Sequence, residues 1–140
     1  MNNASINVYA SNIVGFGGEG YPEIRRSVDF FIRNKVSLGA FYELTPFPGT
    51  PIYDKMKEAG RLIHEKWWLE ERSPHNSVEL LSADEGYPTP LQLQEYALKR
   101  LYSYPSIFKR MIGKRKNSIM AWAMNLQFKK NLKYKGVCPL

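Results

Sequence analysis

Cysteine is almost missing. Cys138 is the only one, so no internal disulfide can form, and a reducing cytoplasm is the simplest compartment. That thiol lies two residues from the end of the chain and reads as incidental. Long apolar runs are missing too: nothing approaches the roughly 18 uninterrupted apolar residues of a membrane span. The opening MNNASINVYASN has neither the basic nor the apolar region of a secretory signal. Histidine is scarce, and His64 and His75 lie eleven apart without a third ligand at useful spacing, so no metal site is expected. Acid is absent from the last third of the chain. Residues 96–140 carry 11 Lys+Arg and no acid, whereas residues 1–95 carry 9 Lys+Arg and all 13 Asp+Glu. The net charge of +7 is therefore −4 in one part and +11 in the other. A basic tail of this kind suits an anionic surface such as lipid headgroups, nucleic acid or an acidic partner.

What is present suits one packed domain: 140 residues, 44% apolar and 14% aromatic. INVYASNIVGF (6–16) is rich in β-branched and aromatic residues and ends in glycines, so it reads as a strand. A helix follows, with Pro22 near its start and Ile24, Val28 and Phe31 on one apolar face. LGAFYEL (38–44) reads as a second strand, and PIYDKMKEAG (51–60) as a helix with proline at its start and glycine at its end. Strand, helix, strand, helix with short connections implies parallel strands covered by helices. From 61 to 88 the pattern is irregular, with a short strand expected at 78–81 and Trp67 and Trp68 as packing residues. Thr89 with Gln92 forms a capping-box pattern for a helix that should stop near Tyr104, before Pro105. SIFKRMIG continues for a further turn or two, and NSIMAWAMNLQFKKNLKY (117–134) is a final helix.

Two elbows stand at the strand ends. In TPFPGTP (45–51) the prolines hold Thr45, Phe47 and Thr50 extended, Gly49 lets the chain reverse, and Thr50 is a natural N-cap. In SNIVGFGGE (11–19), Gly15, Gly17 and Gly18 let the backbone approach a ligand, with Glu19 near the next helix. The glycines fit neither a P-loop nor GxGxxG. Glu43 shares a strand face with Phe41 and Thr45, and it is a candidate for proton transfer if that face meets a substrate.

In order, NIVGFGGE, LTPFPGTPIYDKMKEAGRL and LYSYPSIFKRM resemble the C-terminal half of the radical SAM barrel, in particular members with an upstream cobalamin-binding domain. The resemblance spans residues 6–112. It implies an α/β fold: two βα units of a partial (β/α) barrel in 1–62, a wrap-around segment in 63–88 and a basic helical extension in 89–140. It implies S-adenosylmethionine as cofactor, with Ile13 packing on the adenine. Gly15, Gly17, Gly18 and Glu19 would complete the motif, and Leu44 and Thr45 would reach the adenine through backbone groups. Ser11 and Gly17 depart from the family pattern, where a glycine and often a proline stand. The family's CxxxCxxC loop is absent, so a 4Fe–4S cluster and cobalamin are implied only for a full-length enzyme. The expectation is a C-terminal fragment, inactive without a missing N-terminal barrel half or a cluster-bearing partner chain. The alternative is a non-catalytic basic adaptor binding anionic lipid or nucleic acid through residues 96–140, although no nucleic-acid module is recognisable. The apolar stripe of the last helices, from Ile107 to Leu132, is expected to dock with the basic face solvated.

Overall fold

The computed structural model describes residues 7–69, 80–82, 86–112 and 118–135. The expectations for His75, Cys138 and residues 78–79 lie outside them. In chain order the elements are β1 (Tyr9–Val14), α1 (Tyr21–Arg33), β2 (Leu38–Glu43), α2 (Pro51–Glu58), α3 (Pro90–Leu101), α4 (Tyr104–Met111) and α5 (Ser118–Lys135). A single 3-10 turn covers Trp67–Leu69.

The two strands pair in parallel, from Tyr9 opposite Leu38 to Val14 opposite Glu43. Partnered residues point to the same face, so one face carries Ala10, Val14 and Phe41 and the other Tyr9, Ser11, Ile13 and Tyr42. Helices α1 and α3 cover the first face. Val14 and Phe41 pack there against Ile24, Val28 and Phe31 of α1 and Leu93, Ala97, Leu98 and Leu101 of α3. Each of these side chains larger than alanine contributes about 1.5–3 kcal/mol by leaving water. Residues 89–101 therefore share one core with the strands.

Several ends form as their residues dictate. The Thr89 hydroxyl accepts the Gln92 N–H at 3.3 Å, and the Gln92 side chain accepts the Thr89 N–H at 2.9 Å, completing the capping box. Ser103 caps α4 by accepting the Ser106 N–H at 3.4 Å, so Pro105 falls in the first turn of a new helix rather than beyond the old one. Gly20 has no side chain to cap α1. Only the reciprocal half of a capping box exists there, with Glu23 Oε2 accepting the Gly20 N–H at 3.0 Å.

The expectation of a partial (β/α) barrel is corrected: the described residues form a two-stranded parallel sheet with α1 and α3 packed on the face of Val14 and Phe41. The outer edge of β2 explains why. Its outward backbone groups are taken by helix side chains, not by another strand. The Tyr102 hydroxyl donates to Gly39 O at 2.7 Å and accepts the Gly39 N–H at 3.3 Å. Gln94 Nε2 donates to Phe41 O at 2.8 Å, and Asn125 Nδ2 donates to Ser37 O at 2.9 Å. Arg110 Nη1 donates to both Val36 O and Ser37 O at 3.0 Å. Gly39 makes this possible: a Cβ there would sit 2.7 Å from a Phe31 ring carbon and 2.8 Å from a Leu101 methyl.

Arg110 is an exception to the solvated basic face, on which Lys99, Lys109 and Lys130 are exposed. It is fully buried, with Nη2 donating to Leu101 O at 3.0 Å and Asn125 Oδ1 at 2.7 Å. Its spacing explains this, since Ile107, Arg110 and Met111 share one helical face and all three are buried. The apolar stripe is divided. Ile107, Met111 and Ala121 pack together with Trp122, whereas Phe108, Ile112, Ile119, Met120 and Leu126 are exposed. Among the described residues no helix is long and apolar enough to cross a membrane.

Candidate functional site

Both strands point their C-terminal ends the same way, so the turns after Val14 and Glu43 lie side by side. Leu44 N–H donates to Val14 O at 2.8 Å and ties them together. The first turn depends on left-handed backbone at Gly15 (φ 104°), Gly17 (φ 121°) and Gly18 (φ 68°). Gly15 is doubly constrained, because a Cβ there would lie 2.8 Å from two Pro90 side-chain carbons at the start of α3. Its N–H donates to Glu19 Oε2 at 2.6 Å, a short charge-assisted bond that closes the turn. Gly18, in contrast, has no atom within 4 Å of where a Cβ would stand.

The second turn is the proline elbow. Pro46 is buried and Phe47 is 60% exposed. Gly49 reverses the chain at φ 80°. The Thr50 hydroxyl donates to Phe47 O at 2.6 Å and accepts the Tyr53 N–H at 3.3 Å, so one side chain closes the elbow and caps α2.

Arg61 ties the glycine turn to the segment at Leu81, and sequence reasoning missed it. Gly60 ends α2 in left-handed backbone, and the Arg61 N–H reaches back to Met56 O at 2.9 Å. This turn aims the guanidinium under the glycines. Nη2 donates to Gly15 O at 3.3 Å, Nη1 to Phe16 O at 3.5 Å, and Nε and Nη2 both to Leu81 O at 3.3 Å. The available signal was the Gly60-Arg61 pair directly after a helix end. With Pro90 and Leu93, Arg61 fills the underside of the glycine turn, leaving only about 10 Å³ there. Among the described residues, the space left for a ligand at this turn is on its outer side.

Beside the elbow stands an aromatic group. Phe47 and Trp67 have ring centres 6.1 Å apart, Trp67 and Trp68 5.8 Å, and Tyr53 and Trp68 6.2 Å. Trp67 is buried among Leu44, Met56 and Leu80, as expected of packing, but Trp68 is 40% exposed. Phe47 and Trp68 therefore present ring surface to solvent.

The remaining expected residues are distributed as follows. Ile13 is 47% exposed on the face opposite α1 and α3, beside half-buried Tyr42. Leu44 is buried, and its amide is already committed to Val14. Thr45 is half-buried, with its hydroxyl 3.5 Å from Glu43 O. Glu43 stands on the face of Phe41, the one packed under α1 and α3, rather than with Ile13. The glycine turn, Leu44 and Arg61 are brought together, and Thr45 follows Leu44 in the chain; Glu43 and Ile13 are on opposite faces.

No family model matches the chain, and no solved structure matches it. Two curated proteins of Chlorobaculum tepidum do. A bacteriochlorophyllide d C-12(1)-methyltransferase is 30% identical over 115 residues, covering 81% of this chain and 23% of that protein. A bacteriochlorophyllide d C-8(2)-methyltransferase is 25% identical over 132 residues, covering 92% of this chain and 28% of that protein. The chain thus spans about a quarter of the length of the curated relatives it matches. The similarity runs to proteins named as methyltransferases and not to any named as a radical SAM enzyme. The radical SAM assignment, with its iron–sulfur cluster and cobalamin, is replaced by the coarser one: this chain is similar to part of two methyltransferases.

Proposed function

We propose that this chain holds a methyl donor at the C-terminal ends of its two strands and borders the site of a flat ring acceptor. The donor in this reading is S-adenosylmethionine, and the acceptor class is a chlorophyll-type macrocycle, because the relatives are named as methyltransferases of bacteriochlorophyllide d. The observation that carries this reading is the joining of the two strand-end turns by the Leu44 N–H to Val14 O bond, with Arg61 fixed beneath the glycine turn and exposed Ile13 and an exposed aromatic pair nearby. The residues fit the donor. An adenine needs an apolar ledge, and Ile13 beside Tyr42 supplies one. The outer backbone of the turn at Gly17 and Gly18 is approachable, while Gly15 and Glu19 shape the turn by bonding each other. Leu44 and Thr45 close the floor between the strands. The acceptor needs a broad face for stacking, which Phe47 and Trp68 offer.

Equilibrium binding of radiolabelled S-adenosylmethionine to the whole chain tests the donor half. Ile13→Asp should weaken binding at least about tenfold, because it places a charge on the ledge. No binding by the wild-type chain refutes the donor reading; undiminished binding by the variant refutes the ledge. Quenching of tryptophan fluorescence by bacteriochlorophyllide d, lost in Phe47→Ala, tests the acceptor half separately.

The exposure of Ile119 at 84% and Met120 at 68%, on the basic end of the chain, favours a second role for α4 and α5 as a peripheral contact with anionic lipid. Co-sedimentation with phosphatidylglycerol vesicles should fall in Ile119→Glu; sedimentation unchanged by that variant refutes the contact.

A further inference from the structure

A cavity of about 750 Å³ opens between α1, the end of α3 and the start of α4, lined by Arg26, Asp29, Arg33, Arg100, Ser103 and Lys109 among others. It is remote from the turns described above. Helix α1 leaves the glycine turn at Tyr21 and reaches Arg33 at its other end. Helix α3 starts against Gly15 and ends at Leu101, so Arg33, Arg100 and Ser103 lie at the opposite end of the sheet.

Four cations and one carboxylate face this space, and the carboxylate is already used. Asp29 Oδ1 accepts from Arg100 Nη2 at 2.7 Å and Nε at 3.3 Å, while Oδ2 faces Arg25 at 3.8 Å. Arg26 is held by Glu23. Arg33 and Lys109 have no carboxylate partner among the described residues. The positive end of the α4 dipole is directed at the same space, which Ser103, Pro105 and Ser106 line. Placing uncompensated cations around a concavity raises the local concentration of anions, and the volume is that of a small-molecule site rather than of a lone ion.

We infer that this cavity binds a small organic anion through a phosphate or carboxylate group, with Arg33 and Lys109 as the charged contacts and Arg100 fixed in place by Asp29. It is a second site, independent of methyl transfer, and its ligand is recognised by charge-assisted hydrogen bonds.

The test titrates inorganic phosphate, and then ATP, into the whole chain, following backbone amide shifts by NMR. Saturable shifts should centre on α1's last turn and on Ser103 to Lys109. The double variant Arg33→Gln/Lys109→Gln removes two exposed side chains and should weaken binding at least about tenfold. The control Lys55→Gln/Lys66→Gln removes the same charge from exposed positions elsewhere and should leave binding unchanged. Equal weakening in both double variants, or shifts that never saturate, overturns the inference. Vesicles of phosphatidylglycerol that displace phosphate identify a lipid headgroup as the source of the anion; vesicles that do not displace it identify a soluble one.

Discussion

Replacing Arg110 by methionine sets two large effects against each other. The guanidinium has five N–H groups, and all of them find acceptors: Ser106 Oγ at 3.4 Å, Val36 O, Ser37 O, Leu101 O and Asn125 Oδ1. Burial pushes its pKa down to about 10, which leaves it charged at neutral pH. A depression of that size corresponds to about 3 kcal/mol of cost for keeping the charge inside. Methionine removes that cost. It also strands Val36 O, Leu101 O and Asn125 Oδ1, since only Ser37 O keeps a second donor in Asn125. At about 1–3 kcal/mol for each stranded group, the loss exceeds the gain. The net expectation is a destabilisation of about 2–4 kcal/mol.

Urea unfolding followed by circular dichroism reads this directly. With a slope of about 1–3 kcal/mol per molar urea, the midpoint should fall by about 1–2 M. The sign of the pH dependence follows from the lowered pKa. The folded state binds fewer protons than the unfolded one only between about pH 10 and the normal arginine range, so wild-type stability rises with pH there and is insensitive to this group below it. The difference between wild type and Arg110→Met should therefore be flat from about pH 6 to 9. A variant as stable as wild type would mean that the β2 edge is satisfied without Arg110 and would refute the reasoning.

Gly15→Ala meets Pro90 and an unfavourable φ together, so it should cost roughly 2–4 kcal/mol and loosen α3, read as faster amide exchange in residues 90–94. Thr50→Ala removes the α2 cap and should cost about 1 kcal/mol in thermal or urea unfolding. The Glu23 carboxyl is held below its usual range chiefly by the Gly20 N–H, so its contribution is present at neutral pH and lost as pH falls through that lowered value. Glu23→Gln should remove that part of the acid sensitivity, seen as a shallower fall of melting temperature below about pH 5.

Much of the local structure was legible because single residues dictate it. Thr89 with Gln92, Thr50 before Pro51, and Ile24, Val28 and Phe31 along α1 act through neighbours in the chain. What was not legible depends on partners far away. Arg61 lies 46 positions from the carbonyl of Gly15, and Arg110 lies 73 from that of Ser37. A lysine- and arginine-rich string reads as solvent-facing until its neighbours Ile107 and Met111 fix which way the helix turns. The strand periodicity gave Glu43 and Phe41 a common face correctly, but periodicity alone does not say which face the helices will cover. The elbow was legible as an elbow. Its family context was read too finely from short proline and glycine words, which constrain backbone geometry more tightly than chemistry.

The plugged edge of β2 sets a limit on how copies of this chain can associate. Unending growth of a sheet requires every member to offer two open flanks. Here one flank is sealed by Gln94, Tyr102, Arg110 and Asn125, while the outward backbone of Tyr9, Ser11 and Ile13 on β1 meets no partner among the described residues. A molecule with one open flank can pair once and then stops. Among the described residues, backbone pairing with a further strand is thus closed at β2 and left to β1, and the side chains that close it also hold the helices in place.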